Sequence, residues 1–189
     1  TINKIAAGEV VERPSSIIKE LVENSIDAGS SYISIEIENG GKGLIRIIDN
    51  GSGIDKDDVN KAFLRHATSK INTVEDLSSL ESLGFRGEAL ASIAAVSKLE
   101  MLTKTEEALI GLRIVLDGGK IREKEATSAN RGTQISVRDL FFNTPARRKF
   151  LKSNQAEAQA ITDIVNKIAI GNPSIKIKYI NNSKTIYET

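Results

Sequence analysis

The sequence predicts an α+β fold, a layered sandwich of helices on a sheet. Two observations carry this. Helical patterning gathers early in the chain, and strands of period 2 dominate after Lys98. Several neighbouring strands are separated by short turns rich in Gly or Asn, which makes them hairpins.

The elements follow in order. TINKIAAGEVVE already carries a helical pattern. Pro14 suits the first position of the next helix, because its missing N–H would be unpaired there anyway. That helix should run to Ala28 and stop at Gly29, the usual C-terminal stop residue. YISIEIE then alternates apolar and polar, the mark of a half-buried strand. NGGKG turns the chain, and LIRIID pairs back. NGSG is too glycine-rich for either helix or strand. Asp55 caps a helix running to about Arg65. HATSKINTVEDLSSLESLGFRGE is long, polar and weakly periodic. GEALASIAAVS reads as a helix of small residues that can pack closely. KLEMLTKT, IGLRIVLDGGKIREKEA and GTQISVRDL are strands and turns. AEAQAITDIVNKIAIGNP is a helix ended by Gly171 and Pro173. SIKIKYI and KTIYE close the chain as a hairpin.

Length and composition narrow the classes. The 189 residues suit one domain, with 40% hydrophobic and 27% charged side chains, enough to bury a core. No apolar run reaches the roughly 18 residues of a membrane span, and the start has no signal-peptide pattern. The absence of cysteine excludes disulfides and thiolate metal sites. A net charge of +1 gives no electrostatic case for autonomous nucleic-acid binding. The chain lacks an initiator Met and ends inside a strand pattern, so it reads as a piece of a longer protein.

Four local features carry chemistry. On the first long helix, Glu20, Asn24 and Asp27 fall within about 60° of one another, while Ile18, Leu21, Val22, Ser25 and Ile26 centre on the far side. Such a stripe is either a solvated face or the wall of a cleft. In the second reading Glu20 takes a proton from a water and Asn24 supplies an oxygen to Mg²⁺. Next, IIDNGSGI places Asp49 at a strand end before Gly51 and Gly53. It is either a tight turn or a place where a ligand ring lies against the chain, with Asp49 accepting an exocyclic amine of adenine. Third, LGFRGEALASI puts Gly84 and Gly87 before a helix, either a flexed loop or a phosphate site on free N–H groups. Fourth, Thr133 opens a strand and can complete a pocket beside Asp49. Lys70 can contact phosphate or simply be solvated. His66, the lone histidine, reads as structural. No Walker A pattern occurs.

In this order and wording the motifs resemble the GHKL ATPases, the superfamily of gyrase B, Hsp90, sensor histidine kinases and MutL. INKIAAGEVVERP, KELVENSIDAG, DNGSGI, RHATSK, SLGFRGEALASI and LFFNTPARRKFLK are similar to the N-terminal part of the MutL family of DNA mismatch repair proteins. The resemblance covers nearly the whole chain, and strings of this length are highly specific. It implies a Bergerat fold: a two-layer α/β sandwich, with helices on one face of a mixed, mostly antiparallel sheet, filling residues 1–189.

The resemblance also implies roles. Glu20 matches the general base and Asn24 the Mg²⁺ ligand. Asp49 matches the adenine-reading carboxylate, with Thr133 as its helper, and Ala28 and Gly53 lie in the same nucleotide motifs. Lys70 falls in the lid, spanning about His66 to Ser82. Gly84, Phe85, Arg86, Gly87, Glu88, Ala89 and Leu90 match the phosphate cradle. The implied cofactors are ATP and Mg²⁺. The implied partners are a second copy or a paralogue joined through the N-terminal arm when ATP binds, a mismatch-recognition protein and other repair factors. DNA would be held mainly by regions beyond this stretch, and no membrane is involved. The cytoplasm of a bacterium is the favoured location, or the nucleus if the source is eukaryotic. Family members continue into a second domain that supplies a lysine to the γ-phosphate and into a C-terminal dimerisation region, so slow or absent hydrolysis is expected here. A nucleotide-sensing module without catalysis is the alternative. A histidine kinase is disfavoured because His66 sits in the lid rather than on a dimerisation helix. In PARRKFLK, residues Arg147, Arg148 and Lys149 are expected to cap the start of a surface helix or pair with acids rather than grip DNA.

Overall fold

The computed structural model describes residues 11–63 and 88–189. The elements are α1 (Pro14–Asp27), β1 (Tyr32–Glu38), a 3-10 turn (Asn39–Gly41), β2 (Leu44–Asp49), α2 (Lys56–Phe63), α3 (Ala89–Ala95), β3 (Lys98–Lys104), β4 (Gly111–Asp117), β5 (Lys120–Thr127), β6 (Gly132–Arg138), α4 (Pro145–Phe150), α5 (Asn154–Gly171), β7 (Lys176–Asn181) and β8 (Lys184–Glu188). One sheet of 8 strands takes the order β5-β4-β3-β6-β2-β1-β7-β8. Neighbours are antiparallel except β1 and β7, so the expected mixed, mostly antiparallel sheet is present.

Period 2 decides which face is covered. Ile33, Ile35 and Ile37 of β1 stand opposite Asp49, Ile47 and Ile45 of β2, and these opposite Thr133, Ile135 and Val137 of β6. All the aliphatic members of this row are buried. They meet Ile17, Ile18, Leu21 and Val22 of α1, while Ile161 and Val165 bring α5 into the same core. The other face is polar and partly wet. There Arg46 donates to Glu36 at 2.7 Å, and Arg113 pairs with Glu100, Glu123 and Glu125.

Local chemistry explains several boundaries. Pro14 starts α1 and Gly29 ends it at φ 73°, a left-handed conformation that glycine takes without a Cβ clash. Asp55 accepts from the Asp57 amide at 2.9 Å and so caps α2. Ser153 does the same for α5 through the Ala156 amide. One expectation is corrected. Arg147, Arg148 and Lys149 occupy the last turn of the six-residue α4 rather than its start. There they oppose the negative end of the helix dipole, and Arg147 lies over the Phe141 ring, 5.9 Å from its centroid. The helical pattern of residues 1–10, most of the predicted arm, lies outside the described residues, as does the lid from His66 to Ser82.

Candidate functional site

The end of α1, the tip of β2 and the start of β6 meet around a cavity of about 280 Å³. Its walls include Leu21, Asn24, Ser25, Asp27, Ala28 and Gly29 from the helix and its end. Asp49, Ser52, Gly53 and Ile54 come from the strand and loop, and Thr133 and Ile135 from β6. The volume is near the lower end of small-molecule sites, which start at about 300 Å³.

Asp49 is the organising group. The antiparallel register places it opposite Thr133, on the covered face of the sheet. It is 9% exposed, so its charge requires donors. Oδ1 accepts from the Gly51 amide at 2.9 Å and from the Thr133 amide at 3.2 Å. Oδ2 accepts from the Ser25 hydroxyl at 2.7 Å. The carboxylate is therefore held in one orientation, with acceptor capacity left on its cavity side.

The loop after Asp49 is tightly bound to the protein. Asn50 Oδ1 accepts from the Ser31 and Tyr32 amides at 2.9 and 3.0 Å. The Ser52 amide donates to the Ala28 carbonyl at 2.9 Å, and Ile54 N donates to Thr103 Oγ1 at 2.8 Å. This revises the reading of the glycines. A Cβ on Gly53 would meet the Lys104 carbonyl oxygen at 2.1 Å, and one on Gly51 would meet Ser30 and Ala28 below 3.0 Å. Both glycines answer a close approach of protein to protein. Gly29 is the open one: it lines the cavity, and nothing lies within 4 Å of its would-be Cβ.

The helix also meets the cavity differently from the expectation. The cavity wall is centred between the polar stripe and the apolar face, so Ser25, placed by periodicity on the apolar side, faces Asp49. Asn24 is 9% exposed and lines the cavity, with its Nδ2 lacking a hydrogen-bond partner. Glu20 is half-buried, one turn before Asn24, and is not among the lining residues. Ala28, Asp49, Gly53 and Thr133 join Asn24 around the cavity. Glu88 is exposed at the N-cap of α3, and Ala89 and Leu90 are buried in the core. Lys70, Gly84, Phe85, Arg86 and Gly87 lie outside the described residues. Ser25 and Thr103 are missed by the sequence reading. A serine four residues past Leu21 on a helical wheel looks like a small core residue, and Thr103 looks like any strand threonine.

The donor set fits a nucleotide. The cavity has apolar walls from Leu21, Ile47, Ile54 and Ile135, a fixed carboxylate, and a buried amide with an unused polar atom. Among the described residues no three His, Cys, Asp or Glu side chains cluster as a metal site. A Mg²⁺ ion here would be held by Asn24 together with oxygens of the nucleotide and water, in keeping with its habit of retaining waters and substrate oxygens.

Comparison with known proteins gives the same picture. Residues 12–142 match the family described as histidine kinase-, DNA gyrase B-, and HSP90-like ATPase. The DNA mismatch repair protein MutL of Clostridium perfringens strain 13 is 56% identical over 189 residues, covering 100% of this chain and 28% of that protein. MutL of Listeria monocytogenes serotype 4b is 58% identical over 187 residues, 99% of this chain and 31% of its own. The chain thus spans less than a third of the length of these relatives. The Aquifex aeolicus MutL ATPase domain complexed with ADP superposes with a TM-score of 0.76 at 32% identity, covering 95% of this chain and 64% of the other. The N-terminal domain of a DNA repair protein superposes at 0.80 with 34% identity, covering 100% and 56%. The chain belongs to the family of histidine kinase-, DNA gyrase B- and HSP90-like ATPases.

Proposed function

We propose that this domain binds ATP with Mg²⁺ and hydrolyses it slowly, as the switch of a DNA mismatch repair protein. The observation that carries the reading is the fixed Asp49 carboxylate beside the Asn24 side chain, whose buried Nδ2 has no partner, in one cavity. Asp49 accepts the exocyclic amine of adenine, a contact that the O6 of guanine cannot make, since both are acceptors. Asn24 contributes its amide oxygen to Mg²⁺, with the amide turned so that oxygen faces the ion; which end is oxygen is an assignment from the hydrogen-bond network. Bound Mg²⁺ supplies charge neutralisation at the phosphates. Glu20 takes the proton of the attacking water. The ADP held by the similar Aquifex aeolicus domain supports a nucleotide in this cavity.

In the longer protein, ATP binding favours pairing with a second copy or a paralogue, and the closed pair signals to a mismatch-recognition protein and other repair factors. The mismatch repair role of the relatives supports this part.

Calorimetric titration with a non-hydrolysable ATP analogue tests the binding, with and without Mg²⁺. Uptake strengthened by Mg²⁺ is expected. Glu20→Ala should abolish hydrolysis and keep binding, whereas Asn24→Ala should weaken both. Normal turnover by Glu20→Ala would remove the base assignment, and no uptake at millimolar ATP would remove the reading as a whole.

A further inference from the structure

Thr103 sits on β3 and is 2% exposed. A hydroxyl buried that deeply requires partners. It accepts from the Ile54 amide at 2.8 Å, donates toward the Gly132 carbonyl at 3.2 Å and lies 3.0 Å from Thr133 Oγ1. A hydroxyl has one proton and two lone pairs. The Ile54 amide can only donate and the Gly132 carbonyl can only accept, so the Thr103 proton has two destinations. With the proton on the Gly132 side, Thr133 must donate to Thr103, and Thr133 then meets the cavity as an acceptor. With the proton on the Thr133 side, the Thr133 proton is released toward the cavity. The ring nitrogens of adenine that carry lone pairs require this second arrangement.

We propose that Thr103 is a positioning residue for the nucleotide: its hydroxyl decides whether Thr133 donates or accepts toward the cavity, and the same atom pins the glycine loop at Ile54. The proposal rests on the adenine reading of the cavity. Thr103 does not line the cavity and acts through Thr133 and Ile54, which do. The arrangement joins three elements at one atom. Strand β3 carries the hydroxyl, the loop after β2 donates to it, and the first residues of β6 take up its remaining capacity.

The test is titration of a non-hydrolysable ATP analogue into the wild-type protein and into Thr103→Val, Thr103→Ser, Thr133→Val and the double valine variant. Valine keeps the shape and removes the hydroxyl. Thr103→Val should weaken binding about tenfold, and more than Thr133→Val, because it also leaves the Ile54 amide unpaired. Thr103→Ser should stay within about threefold of wild type, since the hydrogen-bonding group is retained. The double variant should lose less than the product of the two single losses, because the two hydroxyls are hydrogen-bonded to each other. Losses that multiply in the double variant overturn the relay, as does a serine variant as weak as the valine one. If Thr103→Val does not fold, Thr103→Cys takes its place; its weak donor should give an intermediate loss, and wild-type affinity would overturn the proposal. Wild-type protein that takes up no nucleotide defeats the adenine reading itself, whereas wild-type uptake with multiplying losses defeats the relay alone.

Discussion

The Ser25 hydroxyl has one proton and two acceptors in reach, the Leu21 carbonyl at 3.2 Å and Asp49 Oδ2 at 2.7 Å. The shorter contact is to the charged group, where a hydrogen bond is stronger, so the proton belongs to Asp49. Ser25→Ala should therefore cost about 1.5–3 kcal/mol of folding stability, the worth of a bond to a charged group. It should also weaken ATP binding, because Asp49 loses the restraint on the oxygen not held by backbone amides. Denaturant titration and calorimetry read the two effects. Unchanged ATP affinity in a folded Ser25→Ala protein would show that the Gly51 and Thr133 amides orient the carboxylate unaided. Asp49 was legible in the sequence through the order of the motifs around it, since IIDNGSGI alone spells a tight turn as readily as a ligand site. Ser25 was not. A helical wheel ranks residues by angle, and the seam where one face gives way to the other is set by how α1 lies on the sheet.

The loop between β2 and α2 shows the same limit for a whole element. Its glycines were legible as a break in periodicity, but which one meets a ligand depends on what the sheet brings alongside. Gly53 has φ 72° and would place a Cβ 2.1 Å from the Lys104 carbonyl oxygen, a contact no rotation relieves. Gly29 has nearly the same φ, 73°, with open space beside it. Gly29→Ala should cost about 1 kcal/mol, the ordinary penalty of a left-handed alanine. Gly53→Ala should cost about 3 kcal/mol or more, since backbone must shift as well. Thermal unfolding of the two variants separates these cases, and equal losses would mean that the loop yields without resistance. The inner strands were readable because alternation survives in β1 and β3 and through most of β4 and β7. The parallel pairing of β1 with β7 was not, because nothing in either strand names a partner some 140 residues away.

At the scale of the molecule, helices cover one face of the sheet and leave the cavity at one end of it. Among the described residues lining that cavity none is Lys or Arg, while Asp27 and Asp49 both are lining residues. A triphosphate brought there meets carboxylates, an amide and backbone before it meets a fixed cation among the described residues. The Mg²⁺ of the proposed function would offset part of that charge, and transfer of the γ-phosphoryl group to water calls for more positive charge as the bond to the leaving oxygen breaks. The chain spans 28% of the Clostridium perfringens relative, which leaves ample length elsewhere in such a protein to supply that cation. The 189-residue chain should therefore bind ATP and turn it over at least about tenfold more slowly than a chain extended to the relatives' length, the factor one missing electrostatic contact commonly exceeds. Phosphate release measured at saturating Mg-ATP compares the two. Equal turnover numbers would mean that these 189 residues already hold every charge the reaction uses, and would move the search for the missing cation back onto Lys70 and Arg86.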